Sequence, residues 1–304
     1  MDVSSLLFGY SKALYSNWIF YKPDRLLIDC GEGAASALGN GSYGIERVLL
    51  THGHIDHIAG LPVLLWTRAA GMGDNEKPLT IYQPAGDPYL ADMERFLART
   101  RKSLPYDLQW KFLQDGDNIP LTGQRRIQTF ATQHVPNQLS LGYKIIEPRR
   151  RLKREYSHLS ENEIRAHAQN GGRAAIAELM ETYDAILAAF GGDGAALVPD
   201  DVRGAELLIH EATLLDAADR KNARHATLEE AVQVAARADA GVLLLHHISG
   251  RYEKPQIENA TRAAATKYNF INPIWCLFHN RLWQILPDAK KEKAPSKKST
   301  GAKP

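Results

Sequence analysis

With 304 residues, 44% of them hydrophobic, the chain can fill one large or two modest domains with a proper core. Lys and Arg number 37 against 35 Asp and Glu, leaving a formal charge of +2 that permits a nucleic-acid partner without indicating one. No apolar run reaches the roughly 18 residues of a membrane span, the N-terminus lacks a secretory-signal pattern, and Cys30 and Cys276 lie far apart, which excludes a disulfide scaffold and points to a reducing cytoplasm.

In chain order, WIFYKP and RLLIDCGEG read as short strands stopped by Pro or Gly, and IERVLLT is a third. PLTIYQPAG is a strand and turn, and residues 87–103 carry helical spacing. An alternating stretch then runs to His134. Residues 145–190 differ: a basic run, EPRRRLKREY, leads into a helical segment rich in Ala, Glu and Arg. The second half alternates ELLIHEAT (strand), TLEEAVQVAARAD (helix) and AGVLLLHHIS (strand). Thr227 and Glu230 form a capping box at the start of that helix, and Leu228, Ala231, Val232 and Ala235 give it one apolar face. The pattern predicts one αβ domain over 1–287, with 145–190 as a basic, helical insertion. A disordered basic tail follows over 288–304, where apolar residues nearly vanish.

The strand ending at 50 delivers T-H-G-H-I-D-H. His52, His54, Asp56 and His57 crowd ionisable groups that compete for protons unless a cation sits among them. Imidazole and carboxylate are ligands for zinc and similar divalent ions, and the cluster holds more donors than one four-coordinate zinc takes, which points to a pair of metals. Further ligands can come from His134, Asp193 between glycines, and either His246 or His247, each behind an apolar segment. A lone histidine at a strand end is more often structural, and Asp193 alone would read as a turn aspartate. The packed H-x-H-x-D-H group is not of that kind. His158, His167 and His279 lack the setting and read as surface or packing residues.

Through this motif the chain resembles the metallo-β-lactamase superfamily. Through GLP at 60–62, HEAT at 210–213, HAT at 225–227 and HHISGRY at 246–252 it resembles the ribonuclease Z group, the endonucleases that process transfer-RNA 3′ ends. The resemblance implies an αββα sandwich of two mixed β-sheets flanked by helices. It implies two divalent ions, zinc foremost with manganese as an alternative: one held by His52, His54 and His134, the other by Asp56, His57 and His247, with Asp193 bridging. A metal-activated hydroxide would attack the phosphodiester, with Asp56 orienting the water and His225, fixed by Glu211, protonating the leaving 3′-oxygen. The competing reading of Glu211 and His225 is a structural contact beside a helix N-terminus, where a cation is disfavoured. Precursor tRNA or another RNA phosphodiester is the implied partner, with no membrane and with assembly as a homodimer. A small-molecule hydrolase of the same fold (cyclic nucleotide phosphodiesterase, lactonase or β-lactamase-like) is the alternative.

The chain departs from the group in three places. G-D-G replaces G-D-T around Asp193, the N-terminus lacks Gly-Thr-Gly, and no long Gly/Pro-rich arm is apparent; 143–172 instead resembles the short plant-type members. Arg149, Arg150, Arg151, Lys153 and Arg154 form a basic patch suited either to phosphates or to an ordinary solvated face.

Overall fold

Side chains alternate across a β-strand, and here each strand of the interior feeds two different cores. The computed structural model describes residues 1–71, 77–220 and 224–288. Six strands, β1 (Leu7–Lys12), β2 (Ser16–Tyr21), β3 (Leu26–Ile28), β4 (Arg47–Leu49), β5 (Leu79–Pro84) and β6 (Leu108–Leu113), form one sheet in sequence order. It is antiparallel at β1–β3 and parallel from β3 to β6.

The second sheet has eight strands: β7 (Asn118–Pro120), β8 (Arg126–Thr132), β9 (Ser140–Leu152), β10 (Met180–Phe190), β11 (Leu208–Glu211), β12 (Leu243–His246), β13 (Ile274–Phe278) and β14 (Arg281–Leu286), again neighbours in order. Helices α1 (Val3–Leu6), α2 (Ala34–Leu38), α3 (Ile55–Ile58), α4 (Leu61–Gly71) and α5 (Pro88–Arg101) belong to the first half, and α6 (Glu161–Leu179), α7 (Leu228–Arg237) and α8 (Lys254–Lys267) to the second.

Leu26 and Ile28 of β3 meet Leu244 of β12 and Ile209 of β11 between the sheets, whereas Leu27 packs outward with Leu61, Leu64 and Leu90 of the first helical layer. Leu243 and Leu245 likewise point away, onto Leu228, Ala231, Val232 and Ala235 of α7. The Thr227–Glu230 capping box fixes where that helix starts. The result is an αββα sandwich, the fold the motifs implied. Each of these side chains is fully or nearly fully buried, and each leucine, isoleucine and valine among them removes apolar surface contributing about 1.5–3 kcal/mol.

The 145–190 segment is mostly strand at both ends. β9 pairs with β8 only as far as Ile146, and β10 reaches β11 only at Ala189 and Phe190. Glu147–Leu152 and Met180–Ala185 therefore pair with each other alone, a two-stranded ribbon projecting beyond the sheet and carrying α6, which breaks at Gly172 (φ 63). A short arm is thus built without the Gly/Pro richness looked for in sequence. Apart from Asp288, the expected tail over 288–304 lies outside the described residues. Among the described residues no helix is long and apolar enough to cross a membrane.

Candidate metal centre

Five strands end at one rim of the sandwich and deliver the predicted ligands together. β4 leads into His52 and His54, with Asp56 and His57 on the first turn of α3. His134 follows β8, Asp193 follows β10, Glu211 closes β11, and His247 follows β12. His52, His54 and His134 form one group whose donor atoms lie within 4.8 Å of one another; Asp56, His57 and His247 form another; and Asp193 groups with His52 and His57.

Local backbone demands explain the sequence around these ligands. Gly53 donates its N–H to Asp87 at 2.8 Å, and a Cβ there would stand 2.4 Å from Asp87 Oδ1. Gly192 adopts φ 63, and a Cβ at Gly194 would meet the Gln133 carbonyl oxygen at 2.7 Å, so G-D-G leaves no room for the threonine of G-D-T.

Three of the imidazoles have their outer nitrogen occupied. His57 Nδ1 donates to Asp29 Oδ2 at 2.7 Å, His52 Nδ1 lies 2.9 Å from Thr51 Oγ1, and His247 Nδ1 lies 2.9 Å from Thr213 Oγ1. The Thr51 hydroxyl passes the chain on to Asp29 at 3.0 Å. These partners fix the tautomers and turn three Nε2 atoms inward, the support a metal-ligating histidine requires. Among the described residues, His52 Nε2 and Asp193 Oδ1 are buried with no hydrogen-bond partner, which is costly unless another species meets them.

The spacing suits a metal as well. Two donors about 2.1 Å from a tetrahedral ion stand about 3.4 Å apart. Here Asp193 Oδ2 lies 3.1 Å from His57 Nε2 and 3.0 Å from His247 Nε2, while Asp56 Oδ2 lies 3.7 and 3.5 Å from the same two atoms. His134 Nε2 is 3.0 Å from His54 Nδ1.

Electrostatics point the same way. Burial pushes His52 and His54 down. Burial also opposes charge on His57 and His247, but Asp193 beside both holds His57 well above its ordinary value and His247 up at about 9. Asp193 itself, despite its burial, is held well below the carboxylate range by His247 and His57. Two imidazolium protons therefore balance the carboxylates, a charge that a divalent cation supplies in their place.

At the rim, His225 Nδ1 donates to Glu211 Oε1 at 2.8 Å. Glu211 also accepts the Gly194 N–H at 2.8 Å and the Thr213 N–H at 3.0 Å, and takes the Thr213 hydroxyl. Burial opposes a charge on His225, yet this saturated carboxylate raises it, overriding the unfavourable start of α7 two residues on. A cavity of about 340 Å³ opens over the cluster, lined by His54, Asp56, His134, Asp193, His225 and His247, with Leu14 and Arg224 at its wall. Leu14, exposed and left-handed (φ 68), donates its N–H to Asp56 Oδ2 at 3.1 Å.

Of the two adjacent histidines, His247 (φ 55) turns into the cluster, while His246 stays buried in β12 with Nδ1 3.4 Å from Asn17 Oδ1. His158 and His167 are exposed, and His279 stacks on Tyr10.

The basic run is not at this rim. Nine residue steps separate Ser140 from Arg149 along β9, roughly 30 Å at about 3.3 Å each. Arg149 is tied to Glu147 and Glu206, and Arg151 to Glu181, whereas Arg150, Lys153 and Arg154 make no ion pair among the described residues.

Sequence reasoning passed over Asp29, Thr213, Asp87 and Leu14. Only Asp29 carried a signal, an aspartate at the end of the apolar RLLID. Asp29→Asn keeps the shape but removes the anion from His57 Nδ1. Metal affinity should fall about 10- to 100-fold with the fold retained, measured by chelator competition; unchanged affinity would make Asp29 a purely structural residue.

A family model described as Anti-Pycsar protein Apyc1 matches residues 9–158. Ribonuclease Z of Bradyrhizobium sp. (strain ORS 278) is 31% identical over 271 residues, covering 77% of this chain and 83% of that protein. Among solved structures, the metallo-β-lactamase fold protein YhfI from Bacillus subtilis is similar with a TM-score of 0.62 at 18% identity, covering 91% of this chain and 98% of that one. Human tRNase Z, short form, has a TM-score of 0.58 at 22% identity, covering 81% and 93%. The structural likenesses carry the fold, and the sequence identity over most of both chains carries the family: this chain belongs to the ribonuclease Z family, within the metallo-β-lactamase fold.

Proposed function

We propose that the protein is a metal-dependent phosphodiesterase that cuts RNA, removing 3′ trailers from precursor tRNA. The observation that carries this reading is the pairing of two donor groups around Asp193 with a Glu211–His225 dyad at their rim. His52, His54 and His134 would hold one divalent ion, Asp56, His57 and His247 a second, and Asp193 both, with zinc as the preferred metal. When bound, the ions supply a nucleophilic water at neutral pH and neutralise charge on the phosphodiester. Asp56, oriented by the Leu14 N–H, takes a proton from the attacking water. His225 gives a proton to the 3′-oxygen as its bond to phosphorus breaks, leaving a 3′-hydroxyl and a 5′-phosphate. Arg150 on the projecting ribbon, with Lys153 and Arg154 just past its first strand, would meet backbone phosphates far from the cut, making affinity salt-sensitive. Assembly as a homodimer belongs to the same proposal.

The test incubates purified protein, zinc or manganese, and a 3′-extended precursor tRNA, beside a His54→Ala control and bis-p-nitrophenyl phosphate. Metal-dependent cutting after the discriminator base, absent in the control, is expected. Turnover of the small ester with intact tRNA would overturn the RNA assignment. It would favour the second reading, a hydrolase of small phosphodiesters, which the remoteness of the basic run from the 340 Å³ cavity supports.

A further inference from the structure

A second cavity of about 480 Å³ adjoins the metal centre and shares His54 with it. Its walls are Ile55 and Ile58 of α3 and Tyr89, Met93 and Phe96 of α5. Ile55, Tyr89 and Phe96 are 67, 56 and 64% exposed, an apolar surface that a water-facing helix pair would otherwise bury or avoid. The groove is held in register with the ligands. The Asp87 carboxylate accepts both the Gly53 N–H, between His52 and His54, and the Tyr89 N–H at 2.9 Å. At the rim Asp92 pairs with Arg95, so the rim presents a balanced pair of charges, which suits an uncharged flat group better than a phosphate.

The direction of the groove narrows its occupant. The groove shares His54 with the metal-centre cavity but is lined by neither His134 nor His225, whose rings lie 5.0 Å apart in that cavity, so it leaves the centre on the side away from the proposed proton donor. The leaving 3′-oxygen is on the His225 side. The groove therefore lies toward the nucleotide that keeps the phosphate. Resting on the phosphodiesterase reading above, we propose that this groove is a nucleobase subsite, in which Tyr89 and Phe96 receive the base of the nucleotide that retains the cleaved phosphate. Aromatic faces accept any base, so the subsite confers a preference for nucleotides over other phosphodiesters and little preference among sequences.

The experiment compares kcat/KM of the metal-loaded protein for thymidine 5′-(p-nitrophenyl phosphate) and for methyl p-nitrophenyl phosphate, which has the same leaving group and no base. The wild-type protein should favour the nucleotide ester by tenfold or more, on the order of one stacked base. Tyr89→Ala and Phe96→Ala should each lower that ratio about tenfold, and Tyr89→Phe and Phe96→Tyr should restore it. A wild-type preference that survives both alanine variants overturns the groove and leaves the phosphodiesterase reading standing. A wild type that hydrolyses the methyl ester without favouring the nucleotide overturns the nucleotide reading and the groove together. A fall from dimer to monomer in sedimentation velocity on Phe96→Ala, with the ratio unchanged, would assign the face to a second copy of the chain instead.

Discussion

Asp193→Ala should lose at least one divalent ion per chain and depress phosphodiester hydrolysis by more than about 1,000-fold. The position concentrates the charge of the centre. Asp193 is 2% exposed, with one carboxylate oxygen 3.1 and 3.0 Å from two imidazole Nε2 atoms and the other with no hydrogen-bond partner among the described residues. No neighbouring side chain can replace it, because Asp56 is already engaged with the Leu14 N–H and with His57 and His247. Losing a metal's charge stabilisation amounts to several kcal/mol, and each 1.36 kcal/mol is tenfold in rate. Metal content by elemental analysis, read beside activity, separates loss of the ion from misfolding. In the ion-free protein the same change removes the anion that sustains His57 and His247 as cations. Both should then titrate lower, by NMR, than in the parent chain. A variant that keeps its full metal complement and its rate would end the bridging assignment.

How much of this was legible beforehand follows from where each residue's constraint arises. H-x-H-x-D-H was readable because four ligands fall on one turn, and the Thr227–Glu230 box because a helix start is a local event. The unbroken apolar runs of RLLID and GVLLLHH announced strands, and the two-sided packing of Leu26–Ile28 and Leu243–Leu245 is their consequence. Asp193, His134 and His247 come from strands far apart in sequence. Their convergence is a property of the sandwich, so the residues alone offered only candidates, and His246 and His247 remained equal on local grounds. The left-handed turn at His247 separates them. The basic run was legible only as a run: density along the chain does not reveal that Arg149 and Arg151 sit in a strand opposite Tyr183 and Glu181, each paired with glutamate. Asp29 and Thr213 were invisible for the opposite reason, since a residue that acts by orienting another has no spacing of its own.

The Glu211–His225 pair should prove separable from the metals by pH and by leaving group. His225→Ala is expected to lower kcat on RNA by about 100- to 10,000-fold, the range for loss of a general acid, with metal content unchanged because the outer nitrogens of His57 and His247 are held elsewhere, by Asp29 and Thr213. The sign of the pH effect follows from the opposed influences on His225. Burial lowers its pKa and Glu211 raises it, with a net upward shift. Glu211→Gln removes the anion while keeping an acceptor for the Gly194 N–H, so burial prevails and His225 loses its proton at lower pH. The alkaline limb of kcat, which reports the protonated acid, should therefore move downward, with activity retained on its acid side. A p-nitrophenolate leaving group needs no proton, so the same two variants should lose far less on bis-p-nitrophenyl phosphate than on RNA. Equal losses on both substrates, or an alkaline limb that stays in place in Glu211→Gln, would reduce the dyad to a structural contact that closes β11 onto the start of α7, and would send the search for the proton donor to water.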